Sequence, residues 1–113
     1  MRIRARLVPL DDRESHWRAV ITAYQYALLD REGREYLAYH WHPDGQSHML
    51  EPHLHLGVAA QVGVPEIAAA HLPTGPIALA AVARLTLTDL GARPLRADWH
   101  GVLASAMPIL SPA

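Results

Sequence analysis

The chain of 113 residues predicts an α+β fold, an antiparallel sheet of about four strands followed by two C-terminal helices packed on one face. Three observations carry this. Period-two alternation and β-branched or aromatic residues fill the first half, turn signals separate those stretches, and helix punctuation is confined to the second half.

Arg2, Arg4 and Arg6 alternate with Ile3, Ala5 and Leu7, the pattern of a half-buried strand that ends at Pro9. Residues 11–15 form a polar connection. A long strand follows over 17–30, in which Val20, Thr22, Tyr24, Tyr26 and Leu28 share one parity. Asp30-Arg31-Glu32-Gly33 is a hairpin turn, and the return strand covers 34–42. Pro43-Asp44-Gly45-Gln46-Ser47 is a further turn that Pro52 closes, and another strand runs from 53 to 58, extending toward Ala60. Pro65-Glu66 opens a single helical turn. The first C-terminal helix covers 76–90, with Thr74 as N-cap, Pro76 in the first turn, Gly91 as the stop and Ile77, Ala81, Val82 and Leu85 as its apolar stripe. Asp98 caps a shorter helix over 99–106, which Pro108 terminates. No repeat or linker divides the chain, so residues 1–113 read as a single domain.

Composition excludes several function classes. A net charge of -1 gives no global pull toward nucleic acid. The absence of cysteine removes disulfides, thiolate metal ligands and thiol nucleophiles. The N-terminus lacks the apolar stretch of a signal peptide, and the longest apolar run, 76–83, is far below the roughly 20 residues of a membrane span. A cytoplasmic protein with no membrane partner is expected.

Eight histidines are the outlier, and six of them lie between His40 and His71. His40-Trp41-His42 and His53-Leu54-His55 each place two imidazoles on one strand face, about 6.5–7 Å apart at the backbone. Pairing of the two strands across residues 43–52 would gather four imidazoles, with Trp41, Leu54 and Leu56 turned toward the helices. Two chemistries use such a patch. Neutral imidazoles can chelate a divalent metal such as zinc, here through His40, His42, His53 and His55. Alternatively, no cofactor is needed: His53 and His55 divide acid and base roles, supported by His40, His42 and a tyrosine, Tyr24 or Tyr26. The plainer alternative is a solvated strand face that happens to carry histidine. His16 and His48 read as solvated residues and His100 as structural, while His71 stands open between a loop hydrogen bond and the patch. Tyr24 and Tyr26 have a plainer role as sheet aromatics. The row Arg2, Arg4, Arg6 either tracks phosphates or protects an edge strand from pairing.

Named motifs mostly fail. A histidine-triad hydrolase needs a third alternate histidine where Gly57 stands, a cupin needs a following glutamate and more strands, and two-histidine phosphoesterases need His-x-Thr/Ser twice. No glycine-rich phosphate loop and no Gly-x-Ser-x-Gly is present.

The succession Tyr24-x-Tyr26, Asp30-Arg31-Glu32-Gly33-Arg34-Glu35, Pro52-His53-Leu54-His55, His71-Leu72-Pro73-Thr74-Gly75, Asp89-Leu90-Gly91, Asp98-Trp99 and Val102-Leu103 resembles a group of small bacterial proteins of no established activity. More distantly it resembles compact histidine-rich toxin-like proteins of toxin–antitoxin loci. That resemblance implies RNA as substrate and a cognate partner protein. Three expectations follow: a toxin-type ribonuclease or phosphodiesterase using histidine acid–base chemistry, a histidine-ligated metal-binding protein, and a non-catalytic antitoxin or assembly partner, including a homo-oligomer.

Overall fold

A computed structural model describes residues 1–11 and 16–107. Five antiparallel strands form one sheet in sequence order: β1 Arg2–Pro9, β2 Trp17–Leu29, β3 Glu35–Trp41, β4 His53–Leu56 and β5 Leu72–Pro73. Three helices follow or interrupt it: α1 Pro65–Ala68, α2 Leu79–Thr88 and α3 Trp99–Ala106. The architecture is the expected α+β arrangement, with a short fifth strand that carries no alternation of its own. Two residues cannot display a period.

The β2–β3 hairpin is fixed locally. The Asp30 carboxylate accepts backbone N–H bonds from Glu32 (3.0 Å) and Arg34 (2.8 Å) and pairs with the Arg34 guanidinium at 2.8 Å. Partial burial opposes ionisation of Asp30, but the Arg34 hydrogen bonds prevail and hold its carboxyl below the ordinary value.

Side-chain parity along β2 is broken once. Arg4 pairs with Ala23 and Ala5 with Ile21, so Thr22 is an extra residue in β2, and its hydroxyl donates to the Arg4 carbonyl at 3.3 Å. Consequently Ile21 shares the face of Tyr24 and Tyr26, while Val20, also buried, lies on the opposite face. The single parity expected from Val20 to Leu28 therefore holds only beyond the bulge.

The core lies between that sheet face and α2. Ile21, Tyr24, Tyr26 and Val82 are buried, flanked by Leu28, Tyr39, Trp41, Ile77 and Leu79. Tyr24 and Tyr26 stack at 4.4 Å, and the Tyr24 hydroxyl accepts the Ile77 N–H at 3.0 Å. Helix α3 packs along α2. No helix among the described residues is long and apolar enough to cross a membrane.

Four local expectations are corrected. Strand β1 is not half-buried: as the outermost strand it is exposed on both faces except at Val8, which is partly covered. Strand β4 stops at Leu56, and residues 58–60 form a 3₁₀ turn instead. Gly57 follows, where the backbone runs so close to Glu35 that a Cβ would collide with its carbonyl oxygen. Thr74 does not cap α2. Its N–H bonds the Pro52 carbonyl, Gly75 turns the chain at φ +69°, and the helix begins four residues later behind Ala78. Asp98 does precede α3, but Arg96 holds its carboxylate with two bonds of 2.9 Å, so it makes no side-chain cap. Pro108 and most of the 11–15 connection lie outside the described residues.

Candidate metal centre

The core face and the histidine face are opposite sides of the same sheet. On β3, Tyr39 and Trp41 enter the core, so His40 between them points the other way. Strand pairing then sets His40 directly against His53 and Ala38 against His55. The small side chain of Ala38 leaves room for the imidazole opposite it.

The rings converge. His40 lies 5.6 Å from His53 and 4.7 Å from His55 between centroids, and His53 lies 4.8 Å from His55. One ligand nitrogen from each of these three falls within 4.8 Å of the others. Among the described residues no other group of three histidine or acidic side chains is so placed. His42, exposed beyond the end of β3, is 5.8 Å from His40.

Backbone and burial prepare these rings as ligands. His53 is 4% exposed, and its Nδ1 lies 2.8 Å from the Glu51 carbonyl oxygen. A carbonyl can only accept, so Nδ1 carries the proton and Nε2 is the acceptor nitrogen. That Nε2 lies within hydrogen-bond distance of Nε2 of His55, at 3.1 Å. Two nitrogens bound tetrahedrally to one zinc ion stand about 3.3 Å apart, given bonds of about 2.0–2.1 Å. The His40 Nε2 is buried without a hydrogen-bond partner. An orphaned buried polar atom costs about 1–3 kcal/mol, a cost that coordination would remove. Burial, then the neighbouring His55, His53, His42 and His71, push the His40 pKa down to about 4. Burial followed by His71 and His53 lowers that of His55. Both rings are therefore held in the neutral form that a metal requires.

The structure brings together His40, His53 and His55 of the expected residues, with His42 at the margin. It separates Tyr24 and Tyr26 from them: both are buried on the core face. Burial, then Tyr24, pushes the Tyr26 phenol up to about 12. Burial likewise raises that of Tyr24, against the Ile77 hydrogen bond.

Two further histidines join the patch. His71, entering β5, lies 4.4 Å from His55 and 5.1 Å from His53, and His48 packs on it at 4.8 Å. Burial, then His48 and His53, lower the His71 pKa. The proximity of His71 comes from the β4–β5 pairing, His53 with Pro73, which a two-residue strand does not announce. No signal in the sequence placed His48. His16 pairs with Asp11 at 2.8 Å and His100 stacks on Trp99 at 3.6 Å, both away from the patch.

Comparison with protein-family models, with curated proteins and with solved structures finds no match to this chain.

Proposed function

We propose that the chain is a metal-binding protein in which His40, His53 and His55 hold one divalent ion of the zinc type. The observation that carries this reading is the convergence of three imidazole nitrogens, one fixed as an acceptor through the Glu51 carbonyl and one buried without a partner. An all-nitrogen donor set suits zinc, copper, cobalt or nickel and disfavours magnesium and calcium, which take oxygen. Three histidines leave a fourth position for water or substrate, the pattern of catalytic rather than structural zinc sites. A bound ion there would supply Lewis-acid chemistry and a water that ionises near neutral pH.

The metal-free alternative, His53 and His55 as an acid–base pair acting on RNA, has weaker support. It needs an imidazolium near neutrality, whereas burial and mutual repulsion favour neutral rings at His40 and His55. Chelator-treated protein titrated with zinc by calorimetry tests the proposal. One equivalent should bind, and His53→Ala should weaken binding at least tenfold. Absence of zinc, cobalt, copper and nickel binding would refute it.

A further inference from the structure

The arginines of β1 lie on the histidine face. Arg2 pairs with Gln25, Gln25 with His40, and His40 with His53, so these residues form one row across four adjacent strands. Arg4 pairs with Ala23 on the same face, two residues along. An open pocket of about 330 Å³ lies at this edge, lined by Arg2, Arg4, His42 and Asp44 and also by the Ile3–Tyr24 pair of the alternate parity. The Ala23 methyl and the Gly45 backbone also border it.

Strands about 4.8 Å apart put Arg2 roughly 10 Å from His40 at the backbone, within the span of one extended arginine side chain and one ligand group. Among the described residues Arg2 has no acidic partner, while Arg4 is held by Asp44 at 2.7 Å. Asp44 thus occupies the place on Arg4 that an anionic oxygen would take. Two guanidiniums outweigh this one carboxylate, and three neutral imidazoles would leave the charge of a divalent ion undiminished. Local charge is therefore positive on a chain whose net charge is -1.

We infer that the Arg2–Arg4–His42 pocket is an anion subsite that takes the phosphodiester group of a substrate presented to the histidine centre. Guanidinium forks match phosphate oxygens in geometry as well as charge. The backbone separation of Arg2 and Arg4, about 6.5–7 Å, suits successive phosphates of an extended strand. Asp44 guards the pocket, and an incoming phosphate displaces it from Arg4. The catalytic meaning of this subsite rests on the metal reading; its capacity to bind does not.

The test measures binding of two probes, bis(p-nitrophenyl) phosphate and a labelled single-stranded oligouridine, to the full chain with and without zinc. Arg2→Ala and Arg4→Ala should each weaken oligouridine binding several-fold and flatten its salt dependence by about 0.7 per lost contact. Asp44→Asn should tighten it, and Arg93→Ala, an exposed arginine elsewhere, should change nothing. Binding of the small diester alone, with the same variant pattern, would assign the subsite to small phosphodiesters rather than nucleic acid. If zinc binds but neither probe responds to Arg2, Arg4 or Asp44, the subsite is refuted and the metal reading stands. If the variants act as stated but zinc does not bind, the subsite stands and the metal reading falls.

Discussion

Acid should destabilise the metal-free protein through His40 in particular. Its pKa falls from the ordinary 6.5 to about 4, with burial the first cause. Between these values the unfolded chain takes up a proton that the folded chain refuses. The stabilisation is therefore complete above pH 6.5, declines as pH falls toward 4, and is gone below it. The full difference corresponds to about 3 kcal/mol, and solvent reaching the part-exposed ring reduces the expected effect to about 2. Urea denaturation followed by tryptophan fluorescence at pH 7.5 and pH 4, with chelator present, measures it. His40→Leu should lose about 2 kcal/mol less than wild type between those pH values. The acidic groups whose pKa values are lowered, Asp30, Asp44 and Asp98, are common to both proteins and cancel in the comparison. An equal loss in wild type and His40→Leu would refute the claim that His40 is held neutral by its surroundings.

Three further outcomes follow from the same structure. Tyr24→Phe removes the acceptor of the part-buried Ile77 N–H and should cost about 1–2 kcal/mol by urea denaturation, without changing zinc affinity. Gly57→Ala drives a methyl group into the Glu35 backbone and should cost more than about 2 kcal/mol or abolish soluble expression; wild-type stability would contradict the close approach. His42→Ala, outside the group of three, should leave zinc affinity within about threefold of wild type, whereas His55→Ala should weaken it at least tenfold in calorimetric titration.

How much of this was legible in the sequence depended on whether the signal was local. The β2–β3 hairpin could be read because Asp30 and Gly33 encode the turn within four residues. The parity match of His40 with His53 and His55 was also legible, since one apolar–polar alternation in each strand decides its face. The bulge at Thr22 was not, because an extra residue leaves no trace in composition and yet reverses the face of everything before it. Thr74 looked like a cap by residue type. Its hydroxyl instead donates to the Gly75 carbonyl, and its N–H to that of Pro52, a partner 22 positions away that no local pattern reveals. The tyrosines sat on the parity opposite the histidines across the hairpin: Tyr24 faces Trp41 and Tyr26 faces Tyr39. That register assigns them to the core and leaves imidazoles, the Arg2–Arg4 row and the Asp44 loop to the other face.

The central claim is that three imidazoles act together as one ligand set. The most direct measurement is cobalt(II) titration of the metal-free protein, followed by electronic absorption, with His40→Ala, His53→Ala and His55→Ala alongside. Wild type should take up a single equivalent and show the intense visible bands of a four-coordinate nitrogen site, and each variant should lose those bands. A spectrum in wild type no different from that of aqueous cobalt, or one that persists unchanged when His53 is removed, would contradict it.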